Sequence, residues 1–576
     1  MSPTVPRHPT IRAPWSTLGL ILLCALPAVA GSCNFGLDVT NPKTVDTDAE
    51  DPDNPVEPGT WYLDGDGDGY GDPDQVVRTA EQPSGYVADN TDCDDGDDSA
   101  HPGGTEVCDG ADNDCNGTVD DDPLDGQIWY TDADTDSWGD PSAPVLACAQ
   151  PSGTVDNTLD CDDTESREPV IADAVSGNTG GSGTWSDPVL SLQTAIEMAS
   201  GCVLARAGTY RETIDFGGKS VTVTGLDGPM STTIDPGTSA CGLSDPLACV
   251  SAVTFASGSN ASPTLQGFTI QGGSGDTIYS STSTTCADSS PSHEGQDTCT
   301  IHLYEYCGGG IRVDGDDPAL VDVIIADNIL PDFTQESSGS FTQIWRYSYG
   351  GGLCIQSGVV SLDGVTLDTN QADTGGGIYA AAGTVLSLHQ VKLDGNIASD
   401  GAGVYLDGAD LDVTNSLVTC NQADVDGGGL FAGGSGTASF TNVAFYGNAS
   451  SNTGTERGSQ IFQQGMGTIQ LHNTIVHSTS SSYALYGAGT GQFSYNDVYN
   501  SAAASMTFGG TFTAGPRDIS ENPSFVDAHC SSESPSDFTL SGSSPAIDAG
   551  DPDSVFNDVD GSRNDMGAYG GSGGFW

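Results

Sequence analysis

Aspartates stand at alternate positions in WYLDGDGDGYGD, residues 61–72, with glycine or tyrosine between them. Carboxylates this close repel one another, so the stretch is expected to need a cation. Oxygen ligands at positions one, three, five, seven and nine, with glycine at position six, are the pattern of a calcium loop. Three segments follow its oxygen spacing: Asp64, Asp66, Asp68 and Asp72; Asp112, Asp114, Asn116 and Asp120; and Asp132, Asp134, Asp136 and Asp140.

The three segments differ from an EF-hand. Position twelve holds Gln75, Pro123 and Ala143 where an EF-hand has a bidentate glutamate, and glycine and proline exclude flanking helices. We therefore expect free-standing loops completed by distant carboxylates, with these candidates: Asp92, Asp94, Asp95, Asp160, Asp162 and Asp163. Oxygen ligands without nearby histidine or thiolate favour calcium as the cofactor. The alternative is a solvated acidic run that holds no metal.

The region from residue 61 to about 169 is duplicated. WYLDGDGDGYGDP returns as WYTDADTDSWGDP at 129–141, QPSGYV returns as QPSGTV, and DCDD at 92–95 returns at 160–163. Between the copies lies CDGADNDCNGTVDDD, residues 108–122. Such order argues against a random acidic tail, so 61–169 is predicted to be a metal-binding module.

These motifs resemble the MopE-type metal-binding motif repeats of bacterial surface proteins. The resemblance rests on DGDGYG, PSGYV, DCDD, PGG and the run from CDG to NDCNG, which together span about a hundred residues. It implies the disulfide bonds Cys108–Cys115 and Cys148–Cys161, and it leaves Cys93 without its expected partner. Copper is not expected, because the region contains one histidine and no methionine.

Composition predicts an exported protein. Eighty acidic and fourteen basic residues give a formal net charge of −66, which excludes binding of nucleic acid by counterion release. Two arginines, a short apolar run and the small residues at 28–30 predict a secretory signal over 1–30. Residues 31–60 are rich in Asp, Pro and Thr and are predicted to be a tether.

Sixteen cysteines in an exported chain predict a disulfide framework. Loss of Cys24 with the signal would leave an odd number, and Cys33 is the candidate for lipidation. Ordinary cleavage after Ala30 is the alternative. The expected location is extracellular or on the outer surface of a bacterium, with a membrane contact only through such a lipid.

Residues 170–523 have a different repeat. Glycine triplets or GAG begin at 308, 350, 375, 401 and 427, and an asparagine follows each: Asn328, Asn370, Asn396, Asn421 and Asn448. A period near twenty-five with short strands is typical of a solenoid. We predict an all-β fold, a right-handed parallel β-helix, in which glycine forms left-handed corners and asparagine tolerates the left-handed bend while its amide binds the next coil.

The ends of the solenoid should be covered. SLQTAIEMASG, residues 191–201, predicts a short amphipathic helix over the first coil. The following GTYRETIDFGGKSVTVTG resembles the opening of pectate-lyase-like β-helix proteins. The tail, residues 524–576, resembles the closing segment of proteins called choice-of-anchor Q, whose usual C-terminal anchor is not expected here.

Two insertions, 274–307 and 329–349, leave the same turn of neighbouring coils and should form one side lobe. Aromatic side chains are frequent in both, and the candidates for a ligand surface are Tyr304, Tyr306, Trp345, Tyr347 and Tyr349. Planar rings suit a polysaccharide or another surface protein. Packing of these rings into a small core of the lobe is an equal alternative.

The sequence favours a calcium-stabilised binding or structural surface protein, such as an adhesin. The alternative is a polysaccharide lyase or glycoside hydrolase on the β-helix. Bases are few, and an aspartate pair carries little information in so acidic a chain. His472 and His477 share one coil but have no third ligand or nucleophile. No catalytic residue is therefore assigned.

Overall fold

The computed structural model describes residues 58–135, 137–160, 168–237, 246–256, 258–283, 300–330, 336–337, 342–451, 457–531 and 535–574. The chain consists of two compact units, which divide between His101 and Pro102. The predicted all-β class is confirmed: within those ranges the one α-helix is α1, Leu192–Met198, besides two short 3-10 turns at Pro246–Ala248 and Ser554–Phe556.

The described part of the first unit is a small antiparallel sheet of three strands, Gly59–Leu63, Asp72–Thr79 and Tyr86–Val87, with the first strand in the middle. The aspartate-rich stretch 64–71 connects the first two strands. Its turns are left-handed at Gly67 and Gly69, with φ of 93° and 101°. Only glycine adopts such a conformation without strain, which explains the Asp-Gly alternation.

The second unit begins with the loops 102–126 and the second sequence copy. This copy forms the same sheet order from Gln127–Thr131, Pro144–Ala147 and Thr154–Val155. The duplicated sequence thus produces a duplicated antiparallel sheet. Leu159, just after it, packs against the cluster of Ile171, Cys202 and Leu204 in the following domain.

That domain is a parallel β-helix, called the rod below. Sheet A has ten strands: Ile214–Asp215, Val253–Phe255, Ile311–Asp314, Leu353–Ser357, Ile378–Ala380, Val404–Asp407, Leu430–Gly433, Gly458–Gln463, Tyr483–Gly487 and Phe508–Gly510. A small third sheet contains Ile397–Asp400, Gln422–Asp426 and Ala449–Ser450. Neighbouring strands of both sheets are parallel.

Sheet B is the largest sheet and has nineteen strands. They are Val170–Ala172, Cys202–Ala205, Gly208–Tyr210, Thr222–Gly225, Thr232–Ile234, Thr264–Gln266, Thr269–Ile270, Ala319–Val321, Ile324–Ala326, Val359–Asp363, Thr366–Asp368, Val385–His389, Lys392–Asp394, Asp410–Thr419, Thr437–Tyr446, Thr468–His472, Ile475–Ser478, Thr490–Ser494 and Asp497–Asn500.

The rod's core consists of apolar side chains stacked in register. In sheet A, Leu353 pairs with Ile378, Ile378 with Val404, and Val404 with Leu430, and all four are at most 3 % exposed. Alternation along each strand sends every second residue outward. The rod therefore has one continuous apolar interior and an outer surface that repeats from coil to coil.

Asparagines form the predicted ladder inside the rod. Asn370 donates its amide to Asn396 at 3.1 Å, and Asn396 donates to Asn421 at 2.9 Å. The same bond joins Asn328 to Asn370 and Asn421 to Asn448, and all five asparagines are fully buried. The amide contact from one coil to the next is confirmed.

The left-handed corners are confirmed at glycine and wrong at asparagine. The first glycine of each triplet has φ between 61° and 68°. At the other corner the left-handed residue precedes the asparagine; these are Asp327, Thr369, Gly395, Cys420 and Gly447, with φ from 53° to 64°. The ladder explains this shift, because each asparagine uses its amide and its backbone N–H to bond its neighbour.

The first coil is covered as predicted. Ser191 caps α1 by accepting a hydrogen bond from the N–H of Thr194, and Leu192, Ala195 and Ile196 are buried in the rod's core cluster. At the other end Phe512, 3 % exposed, packs edge-on against Phe493.

The tail runs across the side of several coils. It contains the hairpin Phe525–Asp527 and Asp537–Leu540, and the disulfide Cys420–Cys530 attaches it to the rod. Asn415 donates to the carbonyls of Ala568 and Gly570. None of the helices in the described residues is long and apolar enough to cross a membrane.

The two insertions share one four-stranded sheet, called the lobe. Its strands are β1 (Asp276–Ser283), β2 (Thr300–Cys307), β3 (Glu336–Ser337) and β4 (Thr342–Tyr349), in the order β1-β2-β4-β3. The disulfide Cys307–Cys354 joins the base of β2 to sheet A. Both insertions therefore build a single structure on one face of the rod.

Candidate metal loops and side-lobe surface

The first loop gathers three carboxylates. Asp64, Asp66 and Asp68 each place a carboxylate oxygen within 4.8 Å of the others. Each uses Oδ1 to accept a hydrogen bond from its own loop: Gly67 N–H at 2.9 Å, Asp68 N–H at 3.2 Å and Tyr70 N–H at 2.8 Å. The Oδ2 atoms of Asp66 and Asp68 are buried and accept no hydrogen bond.

Asp92 joins this loop from a distant part of the chain. It is 4 % exposed, its Oδ1 accepts from Asp94 N–H, and its Oδ2 has no hydrogen-bond partner. Burial raises the pKa of Asp92, the Asp94 N–H opposes this, and the charges of Asp68, Asp66 and Asp95 raise it further. Buried like charges with free oxygens are unfavourable without a cation.

The other candidates near this loop differ in position. Asp95 accepts from Gly65 N–H at 2.6 Å and so lies against the loop. Asp94 accepts from Gly96 N–H within its own turn. Asp72 accepts from Asp74 N–H at the start of the second strand. The structure thus brings Asp92 and Asp95 to the loop. One carboxylate oxygen of Asp94 and one of Asp72 each accept a hydrogen bond from a nearby backbone N–H.

The middle loop contains a carboxylate that sequence reasoning missed. Glu106, 6 % exposed, lies within 4.8 Å of ligand atoms of Asp112 and Asp114. Its two oxygens accept from the N–H groups of Asp114 and Asp120. It stands six residues before the first template position, so the loop pattern could not include it.

The remaining middle-loop candidates hold the loop's backbone or one another. Asp112 accepts from the N–H groups of Asn116 and Gly117. Asn116 donates its side-chain amide to Asp114, and Asp120 accepts from Gly110 N–H. The cluster of carboxylate ligands is therefore Glu106, Asp112 and Asp114, with Asp120 turned to an adjacent N–H.

The third loop repeats the geometry of the first. Asp132 accepts from Ser137 N–H, and Ser137 adopts φ 77° at the position where glycine was expected. Asp160, the counterpart of Asp92, is 8 % exposed, and Asp140 bonds Ser142. Asp134 stands at the position of Asp66, while Asp136, Asp162 and Asp163 lie outside the described residues.

The expected disulfide pairing is wrong. Cys108 bonds Cys148, with a Cα–Cα distance of 5.3 Å, whereas Cys108–Cys115 and Cys148–Cys161 were expected. Asp125 accepts from Cys108 N–H, and the strand beginning at Gln127 pairs with Ala147, so the sheet brings Cys148 to Cys108. Cys115 and Cys93 are each disulfide-bonded, and Cys161 and the lipidation candidate Cys33 lie outside the described residues.

The five aromatic candidates of the lobe do not share one surface. Residues of β2 and β4 lie side by side, and alternate residues point to opposite faces. Tyr304 and Tyr306 are on the face toward the rod, where Tyr306 is completely buried against Cys249, Leu330 and Ala372. Tyr306 is therefore wrong as an exposed contact residue.

The outer face of the lobe carries Trp345, Tyr347 and Tyr349. Tyr347 is 36 % exposed, and the other two are half-buried. Tyr349 contacts Tyr379 of sheet A, with ring centroids 4.9 Å apart. The outer face of the lobe thus continues onto the rod.

On the rod, the outer face of the lobe meets a column of aromatic rings that sequence reasoning missed. Tyr379, Tyr405, Phe431, Phe462 and Tyr486 occupy the same outward position in successive coils, with centroid separations of 4.6–5.9 Å. Burial and nearby carboxylates raise the pKa of Tyr405 to about 12. The signal was present, since an aromatic residue stands four positions after the first glycine in GGGIYA, GAGVYL and GGGLFA.

Two carboxylates stand beside this column. Asp400 and Asp426 pair in register on neighbouring coils, and Arg457 forms an ion pair with Asp426. Burial, and then the charge of Asp426, raises the pKa of Asp400 to about 6. Asp426 is 2 % exposed. Sequence reasoning missed this pair because aspartates are too common here to stand out.

The two histidines of one coil lie under the tail. His472 bonds Ser494 and lies 3.3 Å from a carboxylate oxygen of Asp551. His477 contacts the rings of Tyr446, Tyr499 and Phe525. Burial lowers the pKa of His477 to about 4. Both histidines therefore contribute to docking of the tail.

Comparison with known proteins gives a partial match. The Cu-binding MopE family model, described as "Putative metal-binding motif", matches residues 92–121. No curated protein matches the chain. A metal-binding motif and several disulfide bonds are consistent with an extracellular protein.

Two solved structures were also found. They are the native protein and a selenomethionine derivative of GH136 lacto-N-biosidase from Eubacterium ramulus, at 8 % and 9 % identity and a TM-score of 0.25. Each alignment covers 58 % of this chain and 56 % of the other, so it spans just over half of that enzyme.

Proposed function

We propose that the protein is an exported bacterial surface protein in which calcium orders the aspartate loops. The observation that carries this proposal is the set of buried, unpartnered Oδ2 atoms of Asp66, Asp68 and Asp92. In each residue Oδ1 accepts a hydrogen bond from a backbone N–H, and Oδ2 remains for a ligand. A cation there would relieve the repulsion and become part of the fold.

Calcium fits this donor set best. The ligands are carboxylate oxygens, which hard cations prefer, and neither histidine nor thiolate belongs to the Asp64, Asp66 and Asp68 cluster. The nearby His101 stacks on Tyr70, with centroids 5.1 Å apart. Extracellular calcium modules bind in the range of about 0.1–1 mM, which suits an exported protein.

Calorimetric titration of the mature chain with calcium tests this proposal. Asp92→Asn should weaken binding at the first loop, because it removes one charge from the shared centre. Asp89→Asn is the matched control, since Asp89 is exposed and its carboxylate accepts hydrogen bonds from Thr91. Equal calcium binding by wild type and Asp92→Asn would contradict the proposed site, and no binding at all would contradict calcium.

We infer that the rod presents a glycan-binding surface. The support is the exposed ring of Tyr347, flanked by Trp345 and Tyr349 and continued by Tyr379. Aromatic rings provide apolar area at low conformational cost. Trp345→Ala should abolish binding on a glycan array, whereas Trp185→Ala, elsewhere on the rod, should not. Equal loss in both variants would indicate a general structural effect.

Glycoside hydrolysis is a second candidate function. The observation that favours it is the Asp400–Asp426 pair beside the aromatic column, in which Asp400 has a pKa of about 6. Glycosidases use one protonated and one ionised carboxylate in this way. Asp400→Asn should stop hydrolysis of a bound glycan without weakening its binding. Absence of hydrolysis for every glycan that binds would exclude this function.

A further inference from the structure

An arginine inside the lobe lacks a partner for most of its charge. Arg346, near the centre of β4, is 6 % exposed. Its Nε and Nη2 atoms are buried and have no hydrogen-bond acceptor. A buried guanidinium in this state is strongly unfavourable, because the charge has left water without finding an anion.

Other arginines of the rod form ion pairs with carboxylates. Each of the following has a carboxylate partner: Arg206 with Asp173, Arg211 with Asp235, Arg312 with Asp276 and Asp314, and Arg457 with Asp426. Acidic residues outnumber basic ones eighty to fourteen, so partners are abundant. Among the described residues, Arg346 forms no ion pair with any of them.

A second unsatisfied donor lies beside it. The hydroxyl of Tyr306 is buried and, apart from the neighbouring Arg346, has no hydrogen-bond partner. Burial raises the pKa of this hydroxyl, and the neighbouring Arg346 opposes the rise. Ser348, the next residue on this face of β4, is already bonded to Asp373. Two donor groups without an acceptor therefore meet at one place, as in a site for an oxyanion.

We propose that Arg346 and Tyr306 bind the carboxylate of a uronic acid. The planar fork of arginine matches a carboxylate. Tyr304 lies beside them and is partly exposed, with its ring centroid 6.3 Å from that of His302 and 6.5 Å from that of Tyr306, and it offers apolar area to a sugar ring. This site lies on the face of the lobe opposite Trp345, so it goes beyond the proposed glycan surface.

The entrance is on the side of β1. Ser280 pairs in register with Tyr304 and is exposed, as is Thr282. A cavity of about 410 Å³ adjoins this edge and is lined by Cys249, Ser280 and Arg312 among others. Cys249 also packs against Tyr306. Arg346, Tyr304 and Tyr306 do not line this cavity, so it provides the approach to the site, and its volume is adequate for one sugar ring.

The charge of the whole chain determines the choice of probe. A polyuronate would be repelled by a net charge of −66 at long range. At about 0.15 M salt the screening length is about 8 Å, so a single uronate is affected little. Glucuronate and galacturonate are therefore the probes, with glucose and galactose as neutral counterparts and acetate and N-acetylalanine as other carboxylates.

The test measures uronate affinity by calorimetry and the thermal midpoint of the chain, for wild type, Arg346→Met and Arg206→Met. Wild type should bind a uronate and neither neutral sugar, and Arg346→Met should lose affinity by about a hundredfold or more. Without ligand, Arg346→Met should unfold at or above the wild-type midpoint. Arg206→Met, far from the lobe, should unfold below it, because Asp173 loses its partner, yet keep the uronate response.

Tyr306→Phe gives a milder variant that keeps the packed ring. It should weaken uronate binding by about tenfold, the value of one hydrogen bond. Equal uronate binding by wild type and Arg346→Met, or none by wild type, would overturn the proposal. Acetate or N-acetylalanine binding as tightly as a uronate would overturn the sugar as ligand. If uronate does not bind but a glycan still binds to the face that carries Trp345, this proposal is overturned and the proposed function is unaffected.

Discussion

The first unit and the rod are stabilised by different means. In residues 58–101 the buried groups are carboxylates such as Asp92, whose free oxygens repel one another. In the rod the buried polar groups are amides that satisfy each other, from Asn328 to Asn448. A neutral amide supplies both donor and acceptor and needs no counterion, whereas a carboxylate supplies acceptors only.

The difference extends to apolar packing. The rod buries a continuous stack such as Leu353, Ile378 and Val404. In the first unit the fully buried apolar side chain among the described residues is that of Ala100. A unit this small rarely folds on apolar burial alone and relies on disulfides or metals. Calcium should therefore matter for the first unit and be nearly irrelevant to the rod.

Removal of metal should produce the largest effect. With chelator, amides of 59–87 should lose protection from hydrogen exchange because the loop carboxylates repel one another, while amides of sheets A and B should keep theirs. Hydrogen exchange with mass spectrometry on the chain, with and without calcium, measures both. Equal protection in the first unit under both conditions would break the comparison.

Asn396→Ala should destabilise the rod by about 3 kcal/mol, because the Leu367 carbonyl and the amide of Asn370 lose their partner. Urea unfolding of the chain in the presence of calcium measures this loss of stability. Ser387→Ala, an exposed outward position on a strand of the same coil, is the control and should change the free energy of unfolding by less than about 0.5 kcal/mol. A similar change in the free energy of unfolding for both variants would mean that the asparagine ladder contributes little to the stability of the rod.

Acidification should have a smaller effect through His477. Its pKa is about 4 in the folded chain, below its ordinary value of 6.5, so the unfolded chain binds the proton first and stability falls as the pH drops from 6.5 toward 4. Between pH 6.5 and 5 this amounts to about 2 kcal/mol.

His477→Phe isolates this contribution. Asp400, with a raised pKa of about 6, acts in the opposite direction, because the folded chain then binds its proton first. Since both forms contain Asp400, the difference between wild type and His477→Phe at pH 7 and pH 5 reports the histidine alone. An identical loss of stability in both would show that the ring becomes protonated in the folded chain.

Features that repeat along the chain were predictable. The glycine corners, the asparagine ladder and the loop aspartates each recur at a fixed spacing, and the spacing itself implies the geometry. The left-handed residue was misplaced by one position, because a repeat gives the period but not which residue of a corner takes the bend.

Features that depend on the three-dimensional path were not predictable. Cys108 meets Cys148 only because one strand returns beside another. Trp345 and Arg346 lie on opposite faces of the lobe, which could be inferred only after this segment was known to be a strand. Glu106 lies outside the loop template, so its place beside the middle loop was not predictable either. Asp400 and Asp426 are informative only when their burial is known.

The corner between each ladder asparagine and the next glycine has a consequence for how the protein could change. In the regular coil this connection is four residues, 371–374, yet two other coils accept twenty-one and thirty-four residues there, and their strands still pair with the neighbouring coils, with one irregularity between Val313 and Asp314. Insertion at this point leaves the stacking of the coils intact. The corner is thus a natural place for evolution, or an engineer, to graft new loops onto an unchanged scaffold.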